Sequence, residues 1–161
     1  MIKIQANISG YHGKPCTVLG AYDEETGILV VARTLDMISR HEDSVLISSD
    51  ARADNDGIFG VEQLRGGIDA YFRLKTGMAE DGRSALLRFS DSGTRADPAT
   101  AIERDGVDMN GPIYRINAGA TNANIAALAI CRFALLEGVS GDLVDMTDAL
   151  AGILSGRAMT I

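Results

Sequence analysis

Residues 121–137, TNANIAALAICRFALLE, constrain the fold more than any other stretch, because between Ala123 and Leu136 only Asn124 and Arg132 interrupt the apolar residues. A surface helix carries a polar face opposite its apolar stripe; a helix without one must be covered by a sheet, another helix or a second copy of the chain. Thr121 precedes the run and offers a hydroxyl to the exposed N–H groups of the first turn, while Gly138 is the expected stop. The small residues Ala123, Ala126, Ala127, Ala129 and Ala134 permit close approach by a neighbouring backbone.

Upstream, strand signals dominate. Ile2, Ile4, Ala6 and Ile8 alternate with Lys3, Gln5 and Asn7, predicting a first strand with one face on a core and the other in water. The run CTVLGAYDEETGILVVART has apolar arms around residues 23–27 and predicts an antiparallel hairpin, with Gly27 supplying positive φ. A strand is expected at 44–48 and an aspartate-rich loop at 50–57, followed by a segment at 58–64 compatible with strand or helix. Residues 68–75 and 84–90 form a second apolar pair, read as a hairpin closed through Gly77 and Asp81-Gly82.

Residues 91–111, rich in Asp, Gly and Thr with Pro98, read as a long loop or arm. Residues 112–117 return as a short strand. After the apolar helix, Leu143, Met146, Leu150, Ile153 and Leu154 recur at helical spacing, with Asp142, Asp145 and Asp148 on the other side, predicting a helix over 141–154. Strands first and helices last imply a single α+β domain over 1–161: an antiparallel sheet built from hairpins, with two C-terminal helices packed on it.

Charge and composition exclude several functions. Fifteen basic against 22 acidic residues leave a net charge of −7, which opposes general nucleic-acid binding and adhesion to anionic membranes. The N-terminus lacks the apolar core of a signal peptide, and the longest apolar run falls short of the ~20 residues that cross a bilayer. Cys16 and Cys131 sit among apolar neighbours as small hydrophobes, in keeping with a reducing, cytoplasmic setting.

The chemistry-bearing residues are sparse. His12 and Cys16 have a chelating spacing, with His41 as a third ligand, but no second pair closes a zinc site. His41-Glu42-Asp43-Ser44 contains triad residue types, yet adjacent residues do not converge as a triad must, so a polar turn is expected. Asp54-Asn55-Asp56-Gly57 resembles the middle of a calcium loop but has Arg52 and Gln63 at its first and twelfth positions. It and Asp108-Met109-Asn110-Gly111 read as Asx-stabilised turns. Glycine-rich phosphate loops are absent, as are clustered stacking aromatics, so neither cofactor nor metal is expected.

Three arginines lie inside predicted strands: Arg73 in YFRLK, Arg88 in LLRFS and Arg115 in IYRIN. On neighbouring strands they would form a row able to grip a phosphate, nucleotide or acidic surface, since the guanidinium fork suits bidentate contact with anions. Arginine outnumbers lysine by twelve to three, a bias found at interfaces.

Compact hairpins, a Gly/Asp-rich arm and an alanine-rich C-terminal helix together resemble the small accessory proteins of tailed-phage virions. That resemblance implies a non-enzymatic structural or assembly protein, placed in the cytoplasm or the virion, which contacts itself or another assembly subunit. The alternative from the residues themselves is a binding protein for an anionic small molecule through Arg73, Arg88 and Arg115.

Overall fold

The computed structural model describes residues 1–50, 55–78, 86–90 and 95–140, without the side chains of 33 and 137–140. Its main sheet has six strands in the order β5-β4-β1-β2-β3-β6. These are β1 (Ile2–Ile8), β2 (Cys16–Tyr22), β3 (Leu29–Asp36), β4 (Ser44–Ser48), β5 (Gly57–Ile58) and β6 (Leu87–Phe89). Helix α1 (Val61–Thr76) falls between β5 and β6, and helix α2 (Asn122–Ser140) follows a separate two-stranded sheet of β7 (Ile102–Asp108) and β8 (Gly111–Ile116).

The architecture is α+β, but it departs from a stack of hairpins. Strands β1, β2 and β3 are antiparallel neighbours, as the alternation and the turn at Gly27 predict. Gly27 has φ +75°, and its N–H closes the turn on the Asp23 carbonyl at 2.8 Å. Strand β4 instead runs parallel to β1, and β5 and β6 add to the edges in parallel, so the sheet is mixed.

The expected second hairpin does not form. Residues 68–75 belong to α1, and β6 pairs with β3 rather than with a strand of its own hairpin. IDAYFRLK satisfies two periods at once: Ile68, Ala70, Phe72 and Leu74 alternate, but Leu64, Ile68, Tyr71 and Leu74 also fall at helical spacing, and the helical set is the buried one. The helix start is secured by Gln63, whose Oε1 accepts the Gly60 N–H at 2.8 Å.

Helix α2 is covered all round from Ile125 to Cys131. Residues Ile125 to Cys131 and Ala134 are at most 3% exposed. It packs on β1, β2 and β3, on α1, and on the short 3-10 turn Pro98–Ala101. Gly20 of β2 leaves just enough space for Ile130, and Gly67 of α1 allows contact with the Leu128 backbone. Thr121 caps the helix, its Oγ1 accepting from Asn124 N at 3.4 Å and its carbonyl from Ile125 N at 3.0 Å. Gly138 does not stop the helix, which continues to Ser140; one glycine costs only about 1 kcal/mol in a helix interior. The predicted helix over 141–154, with Asp142, Asp145 and Asp148, lies outside the described residues.

Strand β1 is buried on both faces rather than one. Ile4, Ala6 and Ile8 point to the helices, and Gln5 and Asn7, at 0% and 2% exposure, are covered on the other side by residues 37–43. The covering segment turns at Asp43, which takes φ +61°.

Candidate interaction surface

Four exposed large apolar residues, Val107, Met109, Ile113 and Tyr114, lie on the β7–β8 hairpin. A two-stranded ribbon is barely stable alone in water, so its base must be anchored. Here Phe72 of α1 meets Tyr114 of β8 with ring centroids 4.7 Å apart, Asn117 N donates to the Ala101 carbonyl, and Ile102 pairs with Ile116 near the core. One surface is braced by Arg115, which pairs with Glu103 across the strands and with Asp105 at 3.5 Å. Those carboxylates, Glu103 first, hold the guanidinium firmly in its charged form.

The tip turns through residues 109–110. The Asp108 carboxylate accepts the Asn110 N–H at 2.7 Å, and Gly111 takes φ +118°, so this is the Asx turn that the spacing predicts. Met109 at the tip is fully exposed, and Val107, Ile113 and Tyr114 are 61%, 40% and 39% exposed. Beside them a groove of about 670 Å³ opens between the hairpin and α1, lined by Val61, Ile68, Phe72, Tyr114 and Ile116 and rimmed by Arg65, Asp69 and Arg115. Part of the segment expected as a loop, residues 102–108, is therefore a strand of this arm.

No family model, curated protein or solved structure matched the chain in comparisons with known proteins.

The three arginines do not form a row of neighbouring strands. Arg73 is on α1 and pairs with Asp69 one turn away at 3.3 Å; Arg88 is on β6 of the main sheet; Arg115 is on β8 of the separate ribbon. A row would need 68–75 to be a strand and β6 and β8 to be neighbours, and neither holds.

The other candidates resolve into structural contacts. His12 Nε2 lies 2.8 Å from the Ala118 carbonyl, and the His12 carbonyl accepts the Asn122 N–H at 2.7 Å, which fixes the loop after β1 against the start of α2. His41 Nδ1 faces the Glu42 carbonyl at 3.2 Å. Asp56 accepts from Arg40 at 2.5 Å and from Leu46 N at 2.8 Å, tying the edge of the sheet, and Asp54 lies outside the described residues. Among the described residues no group of three His, Cys, Asp or Glu side chains is placed to hold a metal ion, and no helix is long and apolar enough to cross a membrane.

Sequence reading missed two polar clusters because both sit where alternation or capping predicts solvent. Gln5, Asn7 and Thr17 form a buried network: Gln5 Nε2 donates to Asn7 Oδ1 at 3.0 Å and to the Ser39 carbonyl at 3.0 Å, Asn7 Nδ2 to the Ile38 carbonyl at 2.9 Å, and Thr17 Oγ1 to Asn7 Oδ1 at 2.7 Å. Asn122, 2% exposed, accepts from Tyr11 N and donates to the Gly13 and Lys14 carbonyls. Two amides on the first strand, spaced by two, were the available signal, since paired amides on a strand face suit a satisfied buried network as well as they suit water.

Both cysteines are buried and free. Burial pushes the Cys131 thiol far above its ordinary pKa, with the Asp97 charge adding to the rise, and burial raises Cys16 as well. A thiol reacts as its thiolate, so neither is a nucleophile near neutral pH. In native protein at pH 8, a chromogenic disulfide reagent is expected to leave Cys131 unlabelled and Cys16 slow, with two thiols reacting only after unfolding; rapid native labelling of Cys131 would contradict its place in the core.

Proposed function

We propose that this is a non-enzymatic structural or assembly protein that acts through protein–protein contacts, with the β7–β8 arm and its groove as the contact surface. The observation that carries the reading is that four exposed apolar residues, Val107, Met109, Ile113 and Tyr114, lie on one braced ribbon, with Tyr114 lining an apolar groove. Exposed apolar side chains gathered on one projecting element favour a contact role, and a two-stranded ribbon adds unpaired strand edges. Arginine and aspartate around the groove supply a polar rim. The partner is a second copy or another subunit of an assembly, in the cytoplasm or in a virion of the kind whose accessory proteins this chain resembles in style.

Anion binding through Arg73, Arg88 and Arg115 is the weaker reading, because they lie on three separate elements and Arg73 and Arg115 already pair with carboxylates. The arm is tested by Val107→Asp with Met109→Asp. Both side chains face water, so the unfolding free energy is expected to stay within about 0.5 kcal/mol of the parent. Self-association in sedimentation, or retention of the subunit in its native complex, is expected to fall at least about tenfold, as two buried contacts become charges that must be desolvated. Association unchanged by the double variant would remove the arm from the interface.

A further inference from the structure

The apolar helix carries one guanidinium, Arg132, and its surroundings form a second site. Ala129, Arg132 and Phe133 share a face of α2 and, with Ile47, Phe59 and Gln63, line a partly enclosed cavity of about 90 Å³ between β4, β5 and the two helices. Arg132 lies across Gly66 of α1, whose missing side chain leaves the room: a Cβ there would come within 3.2 Å of Nε. Burial opposes its charge, and among the described residues no carboxylate or carbonyl bonds it. Gln63 uses its Oε1 to cap α1, leaving its amide Nε2 as a donor without a partner among those residues. Asp56, at the cavity wall, has its Oδ2 engaged by Arg40 and the Leu46 N–H, which draws its charge towards the sheet edge.

We propose that this cavity binds a small monocarboxylate with a short apolar tail, the carboxylate held by Arg132 and Gln63 and the tail by Ile47, Phe59, Ala129 and Phe133. The guanidinium fork matches a carboxylate, and charge-assisted bonds strengthen in a partly dry site. The cavity has about three times a water molecule's share of liquid volume, which suits a tail of three or four carbons. Phosphate fits poorly, since the walls are apolar and no second cation lines them. This site is separate from the arm and stands independently of the assembly reading.

Titration of the full chain with isobutyrate, isobutanol and inorganic phosphate, followed calorimetrically and by ligand-observed NMR, tests it. Isobutyrate is expected to bind saturably, with isobutanol and phosphate at least about tenfold weaker. Arg132→Met, which keeps the stem, is expected to weaken isobutyrate about ten- to a hundredfold. Ala129→Leu, which fills the cavity and keeps the cation, is expected to do the same; thermal unfolding of each variant shows whether it remains folded. Absence of saturable binding by the parent overturns the proposal whatever the variants do. So does equal binding of phosphate, or isobutyrate binding unchanged in a folded variant.

Discussion

Gly67→Val is expected to lower stability by about 3 kcal/mol, whereas Gly66→Ala, one residue away on the same helix, is expected to be neutral or to stabilise by up to about 1 kcal/mol. Propensity alone ranks both as improvements, because glycine is among the poorest helix formers. Packing decides the sign. A Cβ on Gly67 would sit 2.8 Å from the Leu128 carbonyl oxygen and 3.0 Å from Leu128 Cγ. Leu128 is fully buried on the most enclosed helix, so neither its backbone nor its side chain has room to retreat. At Gly66 the nearest atoms are Arg132 Nε at 3.2 Å and Cδ at 3.4 Å, the outer part of a long side chain that can swing. Gly67→Ala should fall between, its smaller overlap partly offset by the gain in propensity. In a domain of this size a loss of 3 kcal/mol corresponds to a melting point lower by roughly 6 to 12 °C. Chemical denaturation of the three variants checks the order; a Gly67→Val protein as stable as the parent would mean that the helices do not approach as closely as described.

The second large effect is expected at Gln5. Gln5→Met keeps length and volume but deletes the amide that joins β1 to residues 37–43. His41 N–H, which donates to Gln5 Oε1 at 2.6 Å, and the Ser39 carbonyl, which accepts from Nε2 at 3.0 Å, both lose their partners. Each orphaned group costs about 1–3 kcal/mol if it stays buried, so the loss should reach about 3 kcal/mol. The covering segment can also relieve the cost by opening to water. The substitution should then appear in two measurements together: a lower unfolding free energy, and faster amide hydrogen exchange confined first to residues 37–43. Asn7→Leu should behave alike, since Asn7 holds the Ile38 carbonyl and accepts from Gln5 and Thr17. Unchanged exchange in that segment would show that the network is incidental to its docking.

How much of this was legible from residues depends on how local each signal is. The β2–β3 hairpin was legible because its turn, its glycine and both arms are consecutive. The Asx turn at 108–111 was legible for the same reason. The parallel partners of β1 and β3 were not: Ser44–Ser48 and Leu87–Phe89 carry strand character, but nothing in them says which edge they join or in which direction. The arginine row fails on two counts that no local pattern decides: 68–75 is helical, which moves Arg73 out of any sheet, and β6 and β8 belong to separate sheets. Apart from the turn at 108–111, the first strand of the arm was foreseeable only as an irregular excursion. This strand, β7, IERDGVD, has little apolar alternation and is held by pairing with β8 and by the Arg115 ion pairs.

From its own residues, helix α2 had to be covered on every side, because no arrangement of Ile125, Leu128, Ile130 and Phe133 leaves a polar face for water. What covers it was settled only in three dimensions: three strands beneath it, α1 alongside through Gly67, and the turn at Pro98–Ala101. The same division holds for Gln5 and Asn7, whose polarity is written in the chain but whose burial depends on distant carbonyls at residues 38 and 39. Periodicity is a property of neighbours along the backbone and encodes how many sides of an element avoid water. The identity of the surface that meets each side depends on contacts between segments far apart in sequence, which no local pattern specifies.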